Sequence, residues 1–521
     1  MKKFIYSNLF FIVVLILIVF IVYGKSINFG CTNLDDKELI YKNIDFISDL
    51  KNIPQIFLKD CYFDKDTQYY RPILNISFSV EAFLFKGDLK FYHITNIFLY
   101  IFTLFVIFIF LSKLKFNKTI LKFLVLCFAV HPVLASIPVW IPARNDTLLT
   151  IFFLSSIICF INYLETDKIK YLILHFLFFF LSLFVKETTI LLIFIYPLLI
   201  YCFNFKISKK QILNNFIFII PLLIFYFILR NYSVQPIRIS IYINNIFYYI
   251  KNILFGIILY IEKLFYPTNM PILIYNIIPT LQAIIINFFI LISLIYVYCK
   301  KIIDKKSFIF AILFFLITIL PTFAQEEYAF FTHRVIISLS GLLIILVSIF
   351  EKLIYKYSKI KIYFFIVFFF VFSLFSFCSF MQIEKYKDSF SFWINVYQDS
   401  PKYHTACSGL ANEYLSLGYY DKAIELLFES KKLKNTYDND LDICTALIAK
   451  GDIDNAKERL LRLSELKDNF FVFRYLSEIF YIQGDLENSK IYADKAIKMN
   501  SNDKVILKHY ERLTKALNNK K

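Results

Sequence analysis

The sequence predicts an all-α membrane protein: a polytopic helical bundle of about eleven spans, followed by a helical solenoid. Two observations predict the bundle. The chain is 59% hydrophobic and 20% aromatic over 521 residues, with a mean hydropathy of +0.61, and its apolar residues come in long blocks rather than periodic stripes. The net charge of +17 sits mostly in short lysine-bearing connections between those blocks. That is the distribution of cytoplasmic loops, and it argues against nucleic acid as a partner. A third observation predicts the solenoid: beyond residue 404 the composition turns soluble and glycine recurs at a fixed interval.

The first block, 4–23, follows Met1-Lys2-Lys3 and is long enough to span, at roughly 20 residues. No small-x-small cleavage site precedes Lys25, so it reads as a retained signal-anchor with a cytoplasmic N-terminus. Ten more blocks follow at 92–112, 120–137, 147–164, 169–185, 188–204, 211–229, 280–299, 307–324, 334–350 and 360–380. Connections carrying Lys113, Lys115, Lys118 and Lys122, or Lys168 and Lys170, are assigned to the cytoplasm. So are those with Lys206, Lys209 and Lys210, with Lys300, Lys301, Lys305 and Lys306, and with Lys352, Lys356, Lys359 and Lys361. The loops 24–91, 138–146, 230–279 and 325–333 then face outside, as does everything beyond residue 380. Residues 243–265 are apolar but contain Lys251, Glu262 and Lys263, and counting them as a span would put the Lys300–Lys306 cluster outside. They are expected to form an interfacial or re-entrant helix on the exterior side. The protein divides into a membrane domain, 1–390, and an exterior domain, 391–521, in the inner (cytoplasmic) membrane.

Nine cysteines lack metal-ligand spacing. Cys127, Cys159, Cys202, Cys299 and Cys378 fall in or beside apolar blocks and read as small buried hydrophobes. Cys31 and Cys61 share the first exterior loop, where an oxidising compartment would allow them to pair.

Gly418, Gly451 and Gly484 are spaced by 33 residues, near the tetratricopeptide unit of about 34. Each glycine follows a helical run and precedes an acidic helix start. Small residues recur where paired helices approach, at Ala411, Cys444 and Ser477 and at Ala423, Ala456 and Ser489, with Tyr414, Leu447 and Phe480 as the larger fillers. Repeats are expected at 404–436, 437–469 and 470–502, with a capping helix at 504–517. Such an array offers a groove for a peptide partner; the alternative is packing on the membrane domain or self-association.

Polar motifs gather at the exterior ends of the spans. They are Asp35-Asp36, Tyr70-Arg71-Pro72, His93-x-x-Asn96, His131-Pro132, Arg144-Asn145-Asp146, Lys186-Glu187 and His333-Arg334. Each alone is commonly structural. Together, a carboxylate pair and several cations at one membrane face suit a phosphate-bearing ligand.

In this order, and with tetratricopeptide repeats behind them, these motifs resemble the transmembrane and tetratricopeptide-repeat glycosyltransferases of the GT-C superfamily, which includes the protein O-mannosyltransferases. The resemblance covers essentially the whole chain. It departs at His333-Arg334-Val335-Ile336-Ile337-Ser338, where the family carries Arg-Tyr/Leu-Tyr-Leu-Pro-Ser, and at His131-Pro132, which lacks the usual Glu. The resemblance implies an inverting transfer of a sugar from a polyprenyl phosphate in the lipid bilayer to a hydroxyl on protein or glycan. Asp35 matches the general base by position, with Asp36 its alternative or helper. Arg144, Lys186, Arg334 and His131 would bind the donor phosphate. Tyr70, Arg71, His93, Asn96, Asp146, Glu187 and His333 would support the acceptor side. This chemistry requires no metal, although paired carboxylates leave a site for Mg²⁺ or Mn²⁺ open. The competing expectations are a non-catalytic membrane-anchored repeat scaffold for envelope assembly, and a transporter. Against the latter, the charges gather at one face rather than near the bilayer midplane.

Overall fold

A computed structural model describes residues 2–63, 67–235, 246–268, 270–275, 278–323, 329–356 and 360–520. Lys359 and the loop residues 236–245, 269, 276–277 and 325–328, assigned above from sequence, lie outside the described residues. The protein is 83% helical and forms two compact units, Met1–Phe392 and Trp393–Lys521.

In the first unit, eight helices among the described residues are long and apolar enough to cross a membrane. They are Asn8–Asn28, Leu89–Lys113, Ile141–Thr166, Lys209–Ser233, Leu281–Cys299, Lys305–Phe323, Thr332–Lys356 and Ile362–Tyr386. The expected eleven is therefore too many, for two reasons.

The block expected at 120–137 is broken into Lys118–Ala129 and Pro132–Val139, bent by 57°, and makes a ninth span only if the pair counts as one. Pro132 lacks an N–H and cannot continue the first helix. The His131 ring instead accepts a bond from Val133 N at 3.2 Å, opening a new turn. Carbonyls at the break receive hydroxyls from other helices: Ala129 O from Tyr23 at 3.0 Å and Tyr100 at 2.9 Å, Val130 O from Ser379 at 2.7 Å. A break inside an apolar bundle is tolerated when its backbone groups are satisfied in this way.

The second reason is length. Ile169–Val185 and Glu187–Phe203 are apolar helices of no more than 17 residues, a rise of about 26 Å against a hydrocarbon core of about 30 Å. Lys186, in extended conformation, separates them and puts two charges at their junction.

Helix Ile246–Phe265 is amphipathic. It buries Tyr249, Asn252, Gly256, Leu259, Tyr260 and Glu262, and exposes Ile246, Phe247, Ile250, Leu254 and Phe265. A Cβ on Gly256 would lie 2.1 Å from the Phe323 ring, so only glycine permits this approach. A short antiparallel pair, Leu273–Tyr275 with Ala329–Phe331, registers Leu273 opposite Phe331 and leads directly into His333-Arg334.

The second unit contains helices His404–Ser416, Tyr420–Leu433, Tyr437–Lys450, Ile453–Leu466, Phe470–Ile482, Leu486–Met499 and Lys504–Lys520, each packed on the next. Ala411, Ala423, Cys444, Ala456, Ser477 and Ser489 are fully buried between them. Gly418, Gly451 and Gly484 turn the chain between helices at φ of +81°, +91° and +80°, a conformation that costs other residues a Cβ clash.

Candidate functional site

The first unit contains a partly open cavity of about 900 Å³. Its lining includes the apolar residues Leu149, Phe153, Ile190, Leu191, Phe227, Pro321, Ile336 and Ile337. It also includes the charged residues Asp35, Asp146, Glu187, Arg71, Lys186, Arg230 and Arg334, with His333. A lining that combines apolar side chains with several cations suits an amphiphile with an anionic head.

Asp35 and Asp36 open a short helix, Asp35–Leu39, in the segment that follows helix Asn8–Asn28. Their roles diverge. Asp36 is 1% exposed and accepts from Thr32 N at 2.6 Å, Thr32 Oγ1 at 3.1 Å and Lys37 N at 3.0 Å. Both of its oxygens are thus used inside the loop, and burial pushes its pKa up to about 6 despite these bonds. Asp35 lines the cavity and accepts from the Tyr62 hydroxyl at 3.1 Å. Burial raises its pKa, while the Tyr62 bond and the charges of Arg71 and Arg334 pull it back. Asp36 therefore does not stand beside Asp35 as a second open carboxylate.

Four segments supply the cations. Lys186 Nζ lies 3.0 Å from Asp146 Oδ1, and His333 Nε2 lies 3.6 Å from Asp146 Oδ2, so one carboxylate joins the 185/187 junction to the first turn of Thr332–Lys356. The Arg334 guanidinium sits over Phe331, 4.8 Å from the ring centre. Arg71 stacks on Tyr69 at 4.7 Å, and its Nε is buried with no hydrogen-bond partner among the described residues. An orphan guanidinium donor in a cavity favours an anionic ligand.

Thirteen residues were expected at the site from sequence. The cavity wall contains Asp35, Arg71, Asp146, Lys186, Glu187, His333 and Arg334; it does not contain Asp36, Tyr70, His93, Asn96, His131 or Arg144. Arg144 was expected to hold phosphate, but it is fully buried and its donors are taken. It pairs with both Glu81 oxygens, and also donates to Asn96 Oδ1 at 2.8 Å and Tyr92 O at 3.1 Å. Asn96 in turn donates to the carbonyls of Trp140 at 3.1 Å and Ile141 at 3.3 Å. This network fixes the turn from which Asn145 and Asp146 reach the cavity. His131, also expected at phosphate, uses one nitrogen on Val133 N and the other on Leu264 O at 3.1 Å. Tyr70 donates to Phe57 O at 2.9 Å and packs on Phe184 and Tyr226. His93 is buried against Phe29. Among the described residues Cys31 and Cys61 form no disulfide; Cys31 Sγ donates to Asn33 Oδ1 at 3.1 Å.

Sequence reasoning missed Arg230, Glu81 and Trp140. Arg230 is 6% exposed, lines the cavity and donates to Gln68 O at 3.2 Å. A signal existed for two of them. Arg230 is the only charge in the run 211–235, and Glu81 the only charge between Arg71 and Lys86, and such residues in apolar runs usually have a role.

No protein-family profile matches this sequence, and no curated protein matches it.

Proposed function

We propose that the protein is a membrane glycosyltransferase of the GT-C type. It moves a sugar from a polyprenyl phosphate to a hydroxyl acceptor, on protein or glycan, at the exterior face of a bacterial inner membrane. The observation that carries this reading is the junction, in one cavity, of an open carboxylate with a partly apolar wall and four cations. In the proposed reaction the acceptor oxygen attacks the anomeric carbon as Asp35 takes its proton. The bond from that carbon to the phosphate oxygen breaks through an oxocarbenium-like state, and polyprenyl phosphate leaves with the bonding electrons. Arg71, Arg230 and Arg334 stabilise the charge that develops on the leaving phosphate. Lys186 is held on Asp146 and contributes its charge from there. The polyprenyl chain packs on the apolar lining residues.

The glycine period and the paired helices of the second unit support reading it as three tetratricopeptide repeats with a capping helix, a surface for a peptide partner or acceptor. Lysine-rich connections support a cytoplasmic N-terminus and an exterior second unit.

The test is turnover of polyprenyl-phosphate hexoses by the full chain in lipid nanodiscs. Asp35→Asn is expected to lower kcat by about 10²–10⁴-fold, the range for losing a general base, while Arg230→Ala raises the donor KM. Undiminished turnover in Asp35→Asn would exclude Asp35 as the base. Wild-type chain that transfers no sugar, while its second unit alone sustains function in cells, would favour the scaffold reading instead.

A further inference from the structure

We propose that Trp140 is a positioning residue which, through the Thr32 hydroxyl, holds the loop that presents Asp35 and sets its spacing from the cations of the cavity. This rests on the transferase reading above. The Trp140 indole Nε1 donates to Thr32 Oγ1 at 3.1 Å. Thr32 in turn binds Asp36 through its hydroxyl at 3.1 Å and its backbone N–H at 2.6 Å. Asp36 also takes Lys37 N at 3.0 Å on its side chain, and its carbonyl accepts from Ile40 N at 3.1 Å to close helix Asp35–Leu39. With Asp36 anchored inward, its neighbour Asp35 is left at the cavity wall, where it receives the Tyr62 hydroxyl at 3.1 Å.

The same indole also touches the segment that carries His333 and Arg334. It lies nearly parallel to Phe331, at 5.9 Å and 13°, and 5.0 Å from the His333 ring, which approaches Asp146 at 3.6 Å. Its own carbonyl accepts from Asn96, which is held by Arg144. Trp140, 4% exposed, therefore connects the base-bearing loop to the His333-Arg334 segment through its side chain, and helix Leu89–Lys113 to both through its carbonyl. A base and a leaving-group site on separate loops react well only if their separation is held, because misplacement by about 1 Å can cost ~10²-fold in rate. A merely space-filling Trp140 would act through its ring alone. A positioning Trp140 also needs its N–H.

The experiment separates ring from N–H. Full-length Trp140→Phe and Thr32→Val are assayed with a polyprenyl-phosphate hexose in nanodiscs, beside Thr32→Ser and the double variant. Each of the first two is expected to lower kcat about tenfold, with donor KM within about twofold of wild type. The double variant should be no slower than Thr32→Val alone, and Thr32→Ser should restore kcat. Amide hydrogen exchange over residues 32–39 should quicken in Trp140→Phe and Thr32→Val, and stay slow in Thr32→Ser. Unchanged exchange and kcat in Trp140→Phe, or losses that multiply in the double variant, would overturn the proposal. Wild-type chain that turns over no lipid-phosphate sugar would refute the transferase reading, while the exchange pattern would still decide whether Trp140 holds the loop.

Discussion

Removing the Glu81 carboxylate should destabilise the membrane unit more than any single change on the cavity wall. Arg144 has no solvent exposure and the Glu81 side chain has 6%, so neither charge has water as an alternative partner. At a separation of about 4 Å and an effective dielectric near 20, their attraction is about 4 kcal/mol. Charge-assisted hydrogen bonds add roughly 1.5–3 kcal/mol each, and desolvating both ions opposes these gains. The net worth of the pair is therefore small, but breaking it leaves a guanidinium buried without a counter-ion. Glu81→Ala is expected to cost about 3–5 kcal/mol. Glu81→Met with Arg144→Met, which removes both charges, should recover most of that loss. The assay is equilibrium unfolding in mixed micelles, followed by the helical signal. Glu81→Ala within about 0.5 kcal/mol of wild type, the range of unremarkable surface changes, would refute the argument. So would a double variant less stable than the single one.

Two further outcomes follow from neighbouring features. Asp35 works as a base only when ionised, and its pKa is raised by burial and pulled back by the Tyr62 hydroxyl. Tyr62→Phe removes a bond to the charged form, so the acidic limb of the kcat/KM profile should move to higher pH; a limb that stays put would detach Tyr62 from the base. In the second unit, a Cβ on Gly409 would lie 2.1 Å from the Trp393 ring. Gly409→Ala should lower the stability of that unit by about 1–3 kcal/mol, read as an earlier loss of its unfolding transition, and an unchanged midpoint would show that the ring moves aside freely.

The limits of the sequence reading show in particular residues. Arg144 and Lys186 look alike in the sequence, each a cation beside a carboxylate at a span end. Arg144 turns away to Glu81, 63 positions earlier, whereas Lys186 reaches the cavity. Nothing local separates the two outcomes, because each depends on a partner from another helix. The same holds for Asp35 and Asp36. Adjacent carboxylates on a helix start face different directions, and only the position of Thr32 shows which of them turns inward. The broken helix at Pro132 was legible in principle from the proline, but its tolerance came from Tyr23, Tyr100 and Ser379 on other helices.

By itself the sequence determined what depends on neighbours along the chain. Apolar blocks too hydrophobic for water, glycines 33 residues apart where the backbone must take positive φ, and acidic helix starts are all local properties. Tertiary structure alone decided which polar residues share a cavity and which apolar helices are long enough to cross a bilayer. It also decided that Trp140, unremarkable in sequence, touches both Thr32 and His333. Burial and hydrogen-bond satisfaction belong to the packed arrangement of distant segments, so a charge in an apolar run signals that a partner exists without saying which.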